Sequence, residues 1–231
     1  MANSLNKLFE EVDSIGNSES AGKAIEFIEM HLARIEAERG KKSLEYAAVL
    51  NELGMLHRSE ADYASAARRF RESAETIEEV EGSSSPEYAT AIMNHAGVLR
   101  LDSRLSESIE LFEEAMSVYA DSLGTDSVKY LTAVNNLALC YQDMNDYQTA
   151  LANHIKGCEG LEGLNDESDE YRIDYATSLY NTGFCFRQLG EGLLGDELVA
   201  RSINVYRQVL PEDHPLIEHA KAVVGMAAPL R

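Results

Sequence analysis

Residues 130–161 read YLTAVNNLALCYQDMNDYQTALANHIKGCEGL. After Tyr130, apolar or small residues fall at Val134, Leu137, Ala138 and Tyr141, the steps of one helix face. A polar break at Asn145-Asp146 follows. The face then resumes with Ala150 and Leu161, and His154 and Gly157 stand at the intervening core spacing. Sliding this template by 42 residues gives Tyr88 with Ile92, His95, Ala96 and Leu99, then Ser108, Phe112, Ala115 and Tyr119. A second slide gives Tyr46 with Leu50, Leu53, Gly54 and His57, then Ala66, Phe70, Ser73 and Ile77. A shift of 45 gives Tyr175 with Leu179, Thr182, Gly183 and Phe186, then Gly195, Val199, Ser202 and Tyr206, its three extra residues falling in an acidic loop at Asp166–Asp174. Leu8, Val12, Ile15, Ala24, Ile28, His31 and Ile35 form a fifth, degenerate copy without the tyrosine. Two helices per unit at a period between 20 and 50 residues mean a helical solenoid.

The small residues at fixed positions explain how each hairpin closes. Gly54, Ala96, Ala138 and Gly183 on the first helix face Ala66, Ser108, Ala150 and Gly195 on the second, and large side chains there would hold the helices apart. The pattern resembles the tetratricopeptide repeat. The 42-residue period with Asn-Asn-Leu-Ala at residues 135–138 resembles the longer variant of kinesin light chains, and the resemblance covers roughly residues 4 to 228. It implies an all-α fold, a right-handed α-α superhelix. The expected organisation is a single domain over residues 1–231, with repeats at about 4–45, 46–87, 88–129, 130–174 and 175–212 and a capping helix at about 213–228, eleven helices in all.

Helix boundaries follow from local signals. A short helix is expected from Asn3 to Ile15, a turn at Gly16-Asn17-Ser18, and a longer helix from Glu19 to Arg39 stopped by Gly40. Asp62 reads as an N-cap, Pro86 as a helix start, Asp102-Ser103, Gly124–Asp126 and Gly190–Gly195 as turns, and the last helix runs to about Ala228 before Pro229.

Composition narrows the partners. Twenty Lys and Arg against forty Asp and Glu give a net charge of −20, which argues against nucleic acid or an anionic membrane. No apolar run reaches 18 residues and the start, MANSLNKLFE, lacks a leader pattern, so a soluble, cytoplasmic protein is expected. Cys140, Cys158 and Cys185 read as small core hydrophobes of a reducing compartment.

Apparent chemical motifs have bland explanations. Gly190-Glu-Gly-Leu-Leu-Gly195 matches a dinucleotide glycine signature, but it follows a helix and no βαβ unit is available, so no cofactor is expected. His31, His57, His95 and His154 fall at core positions and read as hydrogen-bonded structural residues. His214 and His219 lie near Asp213 and Glu218 without two further ligands, so no metal is expected. An enzyme is not expected.

The first helices lack charge. Over residues 46–58, 88–101, 130–143 and 175–188 there are two acids, Glu52 and Asp143, against Arg58, Arg100 and Arg187, whereas residues 62–81 hold six acids to three bases. First helices line the concave surface of such solenoids, so a neutral or slightly basic groove is expected, suited to a ligand with acidic groups. Asn94, Asn136 and Asn181 each lie six residues after their tyrosine. A carboxamide both donates to and accepts from a peptide backbone. The family resemblance implies that these three clamp a bound peptide, with Arg100, Arg187, Asn135, Gln142 and Tyr180 as groove neighbours; Glu52 breaks the ladder in the first full repeat. The expected function is a protein-binding scaffold or adaptor taking a peptide segment of a partner. The alternatives are a peptide-responsive regulator and a self-assembling homo-oligomeric module.

Overall fold

Ser43, Ser85, Ser127 and Ser168 each stand three residues before a tyrosine, and this spacing builds the repeat. In the computed structural model, which describes residues 2–18, 20–164 and 168–225, each serine hydroxyl accepts the backbone N–H of its tyrosine, at 3.1–3.3 Å. The serine thereby satisfies an amide that the first helical turn leaves without a partner. The helices so started are α3 (Leu44–Ser59), α5 (Pro86–Leu101), α7 (Val128–Asp143) and α9 (Asp169–Gln188). Their hairpin partners are α4 (Tyr63–Glu81), α6 (Leu105–Leu123), α8 (Tyr147–Glu162) and α10 (Gly192–Tyr206), preceded by α1 (Ala2–Ser18) and α2 (Ala21–Arg39) and followed by α11 (Pro215–Gly225). Asp62 and Asp146 cap α4 and α8 on the N–H groups of Ser65 and Thr149. The described residues hold these eleven helices and no strand.

Several boundaries differ from the sequence reading. The helix α1 continues through Gly16-Asn17-Ser18 instead of turning there, and Ser20 caps α2 on the N–H of Lys23. The turn before α10 is shorter than expected, since the helix opens at Gly192 after Gly190 takes a positive φ of 93°. The largest difference lies before α9. Ser168 caps Tyr171 rather than Tyr175, so α9 starts one turn earlier and is 20 residues long where α7 has 16. Residues 169–174 of the expected acidic loop are therefore helical, and Tyr171 stacks on Tyr175 with ring centroids 6.3 Å apart. Positions 166 and 167 of that loop, Glu19, and the expected end of the last helix at Ala228-Pro229 lie outside the described residues.

The chain packs as two compact units, residues 1–122 and 123–231. In the first, Val12, Ile28, Val49, Leu50 and Leu53 form a core that excludes water, continued by Ala66, Phe70, Val98 and Leu99. In the second, Val199, Tyr206 and Ile217 bury the end of the array under α11. Hairpin closure follows the small-residue rule. A Cβ on Gly54 would lie 2.7 Å from the Phe70 ring, and one on Gly183 would lie 2.7 Å from the carbonyl oxygen of Gly195. Ser108, at the matching place on α6, turns its hydroxyl onto the carbonyl of Ala96 at 2.7 Å, so closeness and hydrogen bonding are met together.

Tyrosine hydroxyls lock the hairpins from the other side. Tyr88 donates to Glu114, while Tyr130 accepts from Lys156 and Tyr175 from Arg201, each partner 26 residues later on the second helix. The Gly183→Ala variant meets backbone that cannot step aside and should lose about 1–3 kcal/mol in denaturant unfolding. Gly97→Ala, with open space around it, should gain about 0.5–1 kcal/mol from helix propensity.

Candidate functional site

Equivalent positions on successive first helices lie about one period apart, and their side chains meet as rungs. Asn94 Nδ2 donates to Asn51 Oδ1 at 2.8 Å, joining α5 to α3 in the first unit. In the second unit Ser178 on α9 donates to Asn135 Oδ1 at 3.2 Å, and Cys185 Sγ lies 3.6 Å from Gln142 Oε1. Asn135 also meets the wholly buried His154, whose Nδ1 is 3.3 Å from the same oxygen. Burial alone lowers the His154 pKa to about 3, so the ring is neutral and donates from Nδ1. Asn135, Gln142 and Asn94 are thus engaged with neighbouring helices.

Asn136 and Asn181 differ. Neither side chain makes a hydrogen bond among the described residues, and both line one recess of about 60 Å³ between α7 and α9. Thr132, Thr177, Leu139 and Asp174 complete its wall with Asn135. Asn181 is 5% exposed, so its carboxamide forms the floor. Asp174 Oδ2 accepts from Thr132 Oγ1 at 3.1 Å, and burial pushes its carboxyl above the usual aspartate range against that bond.

Thr132 reaches Asp174 because one hydroxyl is missing nearby. In the repeats on either side the matching threonine is occupied, Thr90 with Tyr119 and Thr177 with Tyr206, both at 2.8 Å. The residue in the tyrosine's place behind Thr132 is Leu161, which has no hydroxyl to offer. The sequence reading missed both Thr132 and Asp174. The Ser-x-x-Tyr spacing at Ser168 and Tyr171 carries the signal that would have placed Asp174 on the helix.

The remaining groove residues are placed otherwise than expected. Arg187 pairs with Asp196 across the α9–α10 turn and packs its stem on Gly195, so it secures a hairpin. Arg100, at the end of α5, has interactions of its own. Tyr180 contacts Phe184 and the ring of His219 on α11, with centroids 6.4 and 5.5 Å apart, which makes it part of the cap packing. The expected basic character does not extend to the α7–α9 recess, where the charged side chain is a carboxyl. Its helix starts before the stretch in which acids were counted.

Residues 47–87 and 87–162, together half of the chain, match the family described as Tetratricopeptide repeat. The chain belongs to the tetratricopeptide-repeat family. Its fold is shared by several solved structures, one of them of a kinesin light chain. BtubC (BKLC) from P. vanneervenii is 16% identical with a TM-score of 0.75, over 98% of this chain and 83% of that one. A putative kinesin light chain of Podosopora anserina with nearly identical tetratricopeptide-like repeats is 15% identical with a TM-score of 0.72, over 89% and 95%. A Rap protein complexed with Competence and Sporulation Factor is 15% identical with a TM-score of 0.62, over 96% and 69%. No curated protein matches the sequence significantly.

Burial pushes the Cys158 and Cys185 thiols up to about 11, leaving them protonated and unreactive at neutral pH. Among the described residues no group of three or more His, Cys, Asp or Glu could hold a metal ion, and no helix is long and apolar enough to cross a membrane. Glu52, in the asparagine position of the first full repeat, is likewise raised above the usual range by burial, with Asp13 adding to it.

Asp174 gives a pH signature. A carboxyl whose folded pKa lies above its unfolded value holds its proton longer in the native state, so it costs stability once ionised and the cost is relieved as pH falls through that interval. Asp174→Asn, which retains an acceptor for Thr132, should therefore be more stable than wild type at pH 7, with the difference shrinking as the pH drops into the range just above pH 4. Thermal melts of both proteins between pH 7 and pH 4 measure it.

Proposed function

We propose that this tetratricopeptide-repeat protein is a non-enzymatic interaction scaffold that takes an extended peptide segment of a protein partner against α7 and α9. The observation that carries the reading is the pair Asn136 and Asn181. They hold the same place in successive repeats, point into one recess, and make no side-chain hydrogen bond to the rest of the described chain. Carboxamides left half-open at fixed spacing offer a donor and an acceptor to each of two peptide units, whatever the side chains. The family likeness supports a protein partner, and the Rap protein that shares the fold is solved in complex with Competence and Sporulation Factor.

Asp174 adds a chemical preference. An ionised carboxylate beside the two amides accepts N–H groups, so the recess favours a segment that presents a backbone amide or a basic side chain at that point. The asparagine ladder of the sequence reading is thereby divided. Asn136 and Asn181 bind, whereas Asn94 bridges α3 and α5.

The test separates binding from stability. Peptides selected on the wild-type protein from a random-sequence display library should bind an Asn136→Ala/Asn181→Ala double variant about 30-fold more weakly, from about 1 kcal/mol net per lost carboxamide. The double variant should melt within a degree or two of wild type. Asn94→Ala should do the reverse, losing about 1 kcal/mol of stability by orphaning Asn51 while leaving peptide affinity unchanged. Undiminished affinity in the double variant would overturn the reading.

A further inference from the structure

Basic side chains are scarce in a chain of net charge −20, yet three arginines converge on one recess of the first unit. It lies between α4, α5 and the start of α6, has a volume of about 280 Å³, and is lined by Arg68, Arg71, His95, Arg104 and Glu107 with two alanines. Arg68 and Arg71 are three residues apart on α4 and so share a face. Arg104 enters from the turn before α6.

Little of this charge is neutralised. Glu107 is taken up by Arg104 in a forked pair, with Nε to Oε1 at 2.8 Å and Nη2 to Oε2 at 2.5 Å. Arg71 has Glu75 at 3.6 Å, but both side chains are more than half exposed, and such pairs hold weakly. Arg68 makes no ion pair among the described residues. Three guanidinium groups thus face one carboxylate within the recess. His95 stands half-buried at the same place and makes no hydrogen bond among the described residues.

We infer that this recess is an oxyanion site, formed by Arg68, Arg71, Arg104 and His95 and suited to a phosphate monoester. Planar guanidinium forks match the oxygens of phosphate in pairs, and a dianion answers the excess positive charge that the acidic chain leaves here. The ring reports the same field. Burial first, then Arg71 and Arg104, lower the His95 pKa to about 4, with Glu107 opposing, so the ring is a neutral hydrogen-bonding group at pH 7. The charged groups facing it are Arg68 and Arg71 from α4, Arg104 from the turn before α6 and Glu107 from α6. A bound dianion would cancel their repulsion and raise the histidine pKa.

The experiment is an NMR titration of the full chain at constant ionic strength with three probes: inorganic phosphate, N-acetyl-phosphoserine amide and N-acetyl-serine amide. The phosphate-bearing probes should shift the imidazole signals of His95 saturably and raise its pKa, and the serine probe should not. Arg68→Gln/Arg71→Gln, at exposed positions that should leave the circular dichroism unchanged, should weaken phosphate about tenfold or more. Tighter binding of phosphoserine than of phosphate would identify a phosphorylated side chain as the source, and the reverse order a free phosphate; either supports the site. Shifts at His95 no larger than at His31, which is already bonded to the Phe27 carbonyl, would overturn it, as would undiminished binding by the double variant.

Discussion

The whole array depends on the two helices of each hairpin approaching so closely that only small residues fit where they meet. At Gly183 the opposing atom is a backbone oxygen, so no side-chain rotation could relieve a methyl group there. At Gly54 it is the ring of Phe70, which fills the space the glycine vacates and is itself wholly buried. Each hairpin solves the same problem with its own pair of residues. Close approach in turn brings a serine hydroxyl within reach of the facing carbonyl and sets the distance over which a tyrosine can span to the second helix.

Once the hairpins are fixed, their stacking is read out by polar side chains one period apart. Asn51 with Asn94 and Asn135 with Ser178 are hydrogen-bonded rungs between first helices, and the Thr132–Asp174 contact is a third of different chemistry. These groups are half-buried, and Ser178 wholly so, where an unmade bond is costly. A side chain in this row that leaves its bonding capacity open therefore stands out, and Asn136 and Asn181 do so together. The division of labour between the two adjacent asparagines of α7 is geometric: Asn135 turns back toward His154 and α9, and Asn136, 100° further round the helix, faces outward into the recess.

Much of this architecture was legible in the sequence because it rests on spacing. The period, the small-residue pairs, the cap at Asp62, the helix start at Pro86 and the turn at Asp102-Ser103 each depend on residue type at a fixed offset, and they fold as read. The site was less legible. Whether an arginine on a first helix faces a groove or its own hairpin depends on the residue opposite, and Asp196 draws Arg187 to the hairpin. The start of α9 was misplaced because two tyrosines, Tyr171 and Tyr175, compete for one role, the cap taking the first and the core phase the second. The arginine cluster at His95 escaped notice because the arginines and the histidine come from three separate stretches, and acids outnumber the arginines in theirs.

Leu161 shows how an array of near-identical units can acquire an individual place. Its neighbours in the pattern, Tyr119 and Tyr206, close off the threonines beside them, and the leucine does not. The recess between α7 and α9 thus arises by subtraction, from an internal partner forgone rather than from a new group added. Diversification of such proteins can proceed by choosing which repeat gives up a contact. With only about 5–15 kcal/mol of net stability to draw on, a domain tolerates few such losses, so specialised repeats stay a minority among regular ones.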